Sequence, residues 1–245
     1  MLEDLNSDHA ISSSPGRTRF VIFGQGRTGS TLLASLLASH SKIHCDGEVL
    51  ANAVSDPIEH VARFAAASPK PVHGFNAKIY QLSDTQHVVP SVFLNALARV
   101  GTRILFLSRR NLLRHALSNR LALANRYHYR TGDTVALAPV RIDPLALLAA
   151  LEKRAEHRRN EEAAIAGLVV HRIVYEDDLI DVEAQRRSLK SCFAFLGVPS
   201  EPVVTDLIRG VTGPVSSHIV NYREVAEMLR GTPYEQWLED DRTYE

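Results

Sequence analysis

Apolar residues in this chain fall into two alternating kinds of run. Short, nearly continuous stretches end at a turn residue or a charge: Arg19–Gly24 (R-F-V-I-F-G), Val72–Ile79, Thr102–Ser108 (T-R-I-L-F-L-S) and Leu168–Tyr175 (L-V-V-H-R-I-V-Y). Runs of this length bounded by turn signals predict strands buried on both faces of a parallel sheet. Between them the period changes. Leu32, Leu33, Leu36 and Leu37 recur at helical spacing in Thr31–Ser39, so that segment predicts a helix packed by one face. Helical patterns also run over Ser91–Val100, Leu112–Arg126, Pro144–Ala166 and Glu183–Leu196, with two short ones, Tyr222–Arg230 and Pro233–Leu238, separated by Gly231. Strands alternating with helices predict an α/β domain with a central parallel sheet and crossover helices.

Tyr127–Arg141 fits neither period and reads as a long polar loop, of the kind that forms lids and binding segments. Residues 1–18 are polar and acidic without an apolar core, which reads as a frayed leader rather than a signal peptide. Residues 19–245 show no repeat, low-complexity linker or charge block and are expected to form a single domain. With 245 residues, 45% hydrophobic and 23% charged, the chain has the composition of an ordinary globular protein. No apolar run approaches the roughly 20 residues of a membrane helix. Cys45 and Cys192 stand alone, without a CxxC partner, as reduced thiols of a cytoplasmic protein do.

Lys+Arg and Asp+Glu balance at 28 each, which argues against a general nucleic-acid binder and requires any anion site to be local. One such site is written at the first strand-to-helix corner. Gly24–Thr31 reads G-Q-G-R-T-G-S-T. A glycine-rich turn there lets backbone N–H groups converge on an anion at a helix N-terminus. Gly24, Gly26 and Gly29 allow close approach, Thr28 sits in the turn, and Ser30 and Thr31 supply hydroxyls and are expected to cap the helix. The spacing of Gly24 and Gly29 is that of G-x-x-x-x-G-K-[ST], but Ser30 stands where the lysine belongs and Arg27, inside the turn, carries the charge. An arginine fork there suits a terminal phosphate bearing one further group.

A second element follows the third strand. Thr102–Ser108 runs into R-R-N-L-L-R-H-A-L-S, Arg109 to Ser118, in which Arg110 ends the strand and Ser118 follows eight residues later. Slightly more than two helical turns bring Ser118 back toward the strand end, and the pair suits an isolated phosphate. Taken alone, Arg109, Arg110 and Arg114 could equally be a solvated basic face.

Together these segments resemble the PAPS-dependent sulfotransferases. G-Q-G-R-T-G-S-T is similar to their 5′-phosphosulfate loop, and the arginine followed eight residues later by serine is similar to their 3′-phosphate element. C-D-G-E-V-L (Cys45–Leu50), H-G-F-N-A-K-I (His73–Ile79), R-I-V-Y-E-D-D-L (Arg172–Leu179) and H-I-V-N-Y-R-E-V (His218–Val225) resemble the bacterial carbohydrate type, Nod-factor sulfotransferases in particular. The likeness spans roughly Arg19 to Leu238. It implies a P-loop-like three-layer α/β sandwich, PAPS (3′-phosphoadenosine 5′-phosphosulfate) as donor, no metal, and a carbohydrate or glycolipid acceptor. It further implies that Gly26, Arg27, Thr28, Gly29, Ser30, Thr31, Arg110 and Ser118 bind the donor. Arg27 stands where the family's loop has lysine or arginine; the lysine of many cytosolic members is arginine here, and the catalytic histidine motif of the cytosolic enzymes is not evident.

Sulfuryl transfer needs a stabilised leaving phosphate and a place for the acceptor proton. Arg27 and the loop amides answer the first need. Glu48, in D-G-E beyond the first helix and a short apolar strand, is the candidate general base, with Asp46 the weaker alternative. Lys78, at a strand end, is a candidate ligand of the sulfuryl oxygens. The histidines show no paired ligand spacing, so no zinc site is expected. Val54–Val72 and Tyr127–Arg141 are the segments expected to shape the acceptor site. Two other readings stay open. A P-loop nucleotide kinase would need the missing lysine and a Walker-B aspartate, neither of which is evident. A non-catalytic nucleotide-binding protein on the same fold would bind 3′,5′-phosphoadenosine without transfer.

Overall fold

The computed structural model describes residues 17–125, 130–131, 137–208 and 213–238. In chain order its elements are β1 (Thr18–Gly24), α1 (Ser30–Ala38), β2 (Ile43–Cys45), α2 (Pro57–Ala67), β3 (Val72–Lys78), α3 (Pro90–Arg99) and β4 (Arg103–Ser108). There follow α4 (Leu112–Ala124), β5 (Arg130–Thr131), α5 (Pro144–Ala164), β6 (Val170–Val174), α6 (Tyr175–Asp178), α7 (Val182–Leu196), β7 (Leu207–Ile208) and α8 (Tyr222–Leu229). The four long strands and the five long helices expected from periodicity are all present, with ends shifted by a residue or two.

Five strands form one sheet in the order β2-β3-β1-β4-β6, and every pairing in it is parallel. Side chains alternate across a strand, so each apolar run feeds two cores. Phe20 and Ile22 of β1 and Leu105 and Leu107 of β4 pack on one face against Leu33, Leu36 and Leu37 of α1 and Leu189, Phe193 and Leu196 of α7. Val21, Phe23, Ile104 and Phe106 face the other way, onto Phe93, Leu94 and Leu97 of α3 and Val61 of α2. Helix, sheet, helix: this is the expected three-layer sandwich. A third cluster joins Leu117 and Leu121 of α4, Leu147 and Leu151 of α5, and Val225 and Leu229 of α8.

Periodicity missed α2, where alanines dilute the apolar face. Local chemistry explains its start: Asp56 Oδ1 accepts from the N–H groups of Ile58 and Glu59, both at 2.9 Å, and Pro57 occupies the first turn. A π-helical turn, Gln81–Thr85, follows β3 and was also not expected. The expected helix Pro233–Leu238 is a single 3₁₀ turn, Glu235–Trp237. Of the expected loop Tyr127–Arg141, residues 127–129 and 132–136 lie outside the described residues. Within it β5 pairs antiparallel with β7, and Val140 bridges Ile219. The expected leader lies outside the described residues up to position 16. Among the described residues no helix is long and apolar enough to cross a membrane.

Gly74 lies opposite Phe20 in the β1–β3 register, and a Cβ there would come 2.0 Å from the Phe20 ring. Gly74→Ala is therefore expected to destabilise the fold by about 1–3 kcal/mol, as overpacking in a close-packed core does. Urea unfolding checks this, and an unchanged midpoint would mean that the Phe20 ring has room to move.

Candidate active site

Parallel strands deliver all their carboxyl ends to one edge of the sheet, where ligands of open α/β sheets bind. β1 is central in this sheet, and Gly24 at its end pairs in register with Lys78 of β3 and Leu107 of β4. The glycine loop, the lysine and the arginine segment after β4 therefore leave the sheet side by side.

The loop after β1 is tightly wound. Arg27 has φ 68° and Gly29 has φ 94°, both in the left-handed region. Gly29 is required twice over, because a Cβ there would also lie 2.7 Å from the Tyr175 ring. Thr28 is buried and donates its hydroxyl to the Gln25 carbonyl at 2.8 Å, closing the turn. Ser30 and Thr31 do not cap α1, contrary to expectation. Gly29 is the N-cap residue and no side chain caps the helix. The first N–H groups of a helix have no intrahelical partner, so they stay available to an anion.

Ser30 is instead engaged from below. Lys78, 1% exposed at the end of β3, donates from Nζ to Ser30 Oγ at 2.6 Å. Its ammonium is 3.7 Å from Glu48 Oε1. Gln81 of the π-helical turn ties these together: its Oε1 accepts from the Lys78 N–H at 2.9 Å, and its Nε2 donates to Glu48 Oε2 at 2.6 Å. Burial holds the Lys78 ammonium below its ordinary range, and the Glu48 carboxylate opposes that shift. Glu48, Lys78 and Ser30 thus meet at the N-terminus of α1.

The other wall is cationic. Arg27 Nη2 donates to Ser118 Oγ on α4 at 3.4 Å, and the Arg27 carbonyl accepts from Arg109 Nη1 at 3.3 Å. His115 Nε2 lies 2.7 Å from the Gly26 carbonyl oxygen and 2.6 Å from Arg154 Nη1 of α5. Burial, reinforced by the Arg154 and Arg109 charges, keeps the His115 imidazole well below its usual range and so neutral. Arg154 itself is lowered to about 10, mainly by burial and further by Arg109 and Arg27. A cleft of about 470 Å³ opens between loop and helix, lined by Gly26, Arg27, Ser30, Thr31 and Glu48 and by Tyr80, Asn119, Lys153, Arg154 and His157. A Cβ at Gly26 would lie 2.5 Å from the Tyr80 hydroxyl, so glycine lets Tyr80 cover the loop. Burial first, then the Glu48 charge, raises the Tyr80 phenol.

Of the residues named from the sequence, the structure gathers Gly26, Arg27, Ser30, Thr31 and Glu48 around this cleft, with Lys78 beneath Ser30 and Ser118 against Arg27. Arg110 is turned elsewhere. Its guanidinium pairs with Asp177 of α6, while its N–H donates to Glu176 Oε2 at 2.8 Å. Asp46, the alternative base, lies between His44 at 3.2 Å and His73 at 2.7 Å. Nothing in Val54–Val72 lines the cleft; α5 takes that place, because the long helix runs across the loop. Tyr80, Gln81, Lys153, Arg154, His157 and Glu176 were missed. Tyr80 and Gln81 follow Lys78 by two and three positions in sequence, a signal within reach. Arg154 belongs to a helix read only for its apolar face. Among the described residues no group of three or more His, Cys, Asp or Glu side chains is placed to hold a metal ion.

No protein-family model matches the sequence, and no curated protein is similar to it in sequence. Solved structures resemble it in fold. A sulfotransferase from Alicyclobacillus acidocaldarius superposes over 91% of this chain and 94% of that one, with TM-score 0.53 and 15% identity. A mouse sulfotransferase, SULT7A1, solved in complex with PAP, matches over 90% of this chain and 87% of that one, with TM-score 0.52 and 15% identity. At such identities the likeness is one of architecture: the chain has the sulfotransferase fold.

α5 is tied to the loop through Gln25, whose Nε2 donates to the Arg154 carbonyl and to Glu161 Oε2, each at 3.2 Å. Burial raises the Glu161 carboxyl to about 7 from 4.5. The folded state therefore holds a proton that the unfolded chain releases near pH 4.5. That contribution is fully present below about pH 4.5 and is lost as pH rises through about 7. Glu161→Gln is expected to flatten this part of the stability–pH curve, a span of order 3 kcal/mol, in urea unfolding at pH 4.5 and 8. A parallel curve for the variant would put the titrating group elsewhere.

Proposed function

We propose that this chain transfers a sulfuryl group from PAPS to a hydroxyl of an acceptor, a carbohydrate or glycolipid. The observation that carries the reading is the meeting of Lys78, Ser30 and Glu48 at the uncapped N-terminus of α1, under a loop charged by Arg27. The sulfotransferase fold, and the binding of PAP by a neighbour of that fold, support the choice of donor.

In this reading the acceptor oxygen attacks sulfur in line with the bond to the 5′-phosphate oxygen. That bond breaks, and its electron pair leaves with the phosphate. The loop N–H groups and Arg27 stabilise the charge that develops there; one preorganised donor of this kind is worth about 3–4 kcal/mol. Lys78, delivered through Ser30, holds the sulfuryl oxygens during transfer. Glu48 takes the acceptor proton, and Gln81 holds its carboxylate by the 2.6 Å bond to Oε2. Arg110 and Ser118 bind the 3′-phosphate, which requires Arg110 to exchange Asp177 for phosphate oxygens. Such an exchange is cheap, because both partners of that ion pair are about half exposed.

The direct test is transfer of radiolabelled sulfate from PAPS onto a panel of oligosaccharides, glycolipids and small alcohols; magnesium-dependent turnover of ATP instead would overturn the reading. Glu48→Gln should leave the affinity for 3′,5′-phosphoadenosine within about threefold and lower turnover by about 10²–10⁴-fold. Unchanged turnover would move the base elsewhere. Arg110→Ala and Ser118→Ala should weaken 3′,5′-phosphoadenosine far more than its 3′-dephospho form in calorimetric titrations, and equal losses would displace the 3′-phosphate pocket.

A further inference from the structure

One wall of the cleft has no part in the chemistry above. Ala150, Lys153, Arg154 and His157 follow one another at helical spacing and present a single face of α5 to the cleft. Arg154 is the unusual member. It is half-buried, forms no ion pair with a carboxylate among the described residues, and has as its side-chain partner the neutral His115. Arg109 and Arg27 lie close enough to repel it, while the Tyr80 phenol and the Glu161 carboxyl attract it without pairing with it. Withdrawing a guanidinium from water without a carboxylate against it is costly unless an anion completes the site. Lys153 extends the charge outward. Its link to Glu156 at 3.1 Å is an exposed pair that costs little to exchange. His157 packs near the Tyr80 ring, 5.8 Å between centroids, and lines the same cleft.

The wall is also fixed relative to the loop, because Gln25 holds the Arg154 carbonyl and Glu161 together. A planar, positioned fork in a concave site is suited to two oxygens of one anionic group. The donor has other partners for its charges: the α1 N-terminus, Arg27 and Lys78 for one end, Arg110 and Ser118 for the other. We propose that Arg154, with Lys153 beside it, is an anion subsite for the acceptor, taking a carboxylate, sulfate or phosphate group carried near the hydroxyl that is sulfated. This rests on the sulfotransferase reading and narrows its acceptor class to an acidic carbohydrate or glycolipid.

The test uses inorganic sulfate as probe, titrated at constant ionic strength against chloride into protein saturated with 3′,5′-phosphoadenosine and followed by thermal shift. The wild type should gain a sulfate-specific shift. Arg154→Gln should weaken it at least tenfold while keeping nucleotide affinity within threefold, and Lys153→Gln, a change at an exposed side chain that leaves folding intact, should weaken it about threefold. In transfer assays a carboxylated or sulfated oligosaccharide should have a KM at least tenfold below its neutral parent, and Arg154→Gln should erase the difference. No sulfate-specific shift in the saturated wild type, or equal KM values for the two acceptors, would overturn the subsite. A tenfold or greater loss of nucleotide affinity in Arg154→Gln would assign the arginine to the donor instead. If the wild type fails to bind the nucleotide yet binds sulfate through Arg154, the anion site stands and the sulfotransferase reading falls.

Discussion

An ammonium group withdrawn from water must find its solvation inside the protein, and Lys78 is placed where the sheet can supply it. Ser30 Oγ, the Glu48 carboxylate and, through the same Glu48, the Gln81 amide surround it. Each partner comes from a different part of the chain: the first residue of α1, the segment after β2, and the π-helical turn after β3. The lysine therefore does more than carry charge. It sets the distance between the uncapped N-terminus of α1 and the only carboxylate lining the cleft among the described residues.

A similar logic holds the arginine segment after β4. Glu176, buried on α6, accepts from the N–H groups of Arg110 and Asn111 at 2.8 and 3.2 Å and lies 3.7 Å from Arg109 Nε. Asn111 then caps α4 through the Arg114 N–H at 2.8 Å. One carboxylate from the end of β6 thus orients the turn that aims Arg109 at the loop carbonyl and leaves Arg110 at the surface. Its neighbours in sequence, Asp177 and Asp178, answer Arg110 and the Val174 N–H. The acidic run Y-E-D-D is a brace for the adjacent strand end.

These braces give the cleft two unlike sides. Around Lys78 the charges are matched, and the geometry is tight. Beside α5 cations outnumber carboxylates: Arg27, Arg109 and Arg154 gather near a neutral histidine, with Glu176 on Arg109 and Glu161 reached through Gln25. A net charge of zero over the whole chain conceals this local excess. The matched side suits a reaction in which a proton and a charge move over short distances, and the cation-rich side suits recognition of negative groups.

The layer architecture and the tight glycine turn after β1 were legible in the sequence because both are local. Buried strands are short apolar runs, helices repeat at 3.6, and a glycine at φ 94° beside a ring leaves its mark as a glycine. Glu48 and Lys78 could be named singly, as a carboxylate after a strand and a lysine at a strand end. What no local pattern could supply is strand order. Setting β3 beside β1, in register, is what brings Lys78 to Ser30, residues 48 positions apart in sequence. Packing α5 across the loop is what makes Arg154, Lys153 and His157 a wall of the same cleft. Such contacts depend on long-range packing of apolar faces, and the polar residues that ride on those faces arrive at the site with no signal of their own.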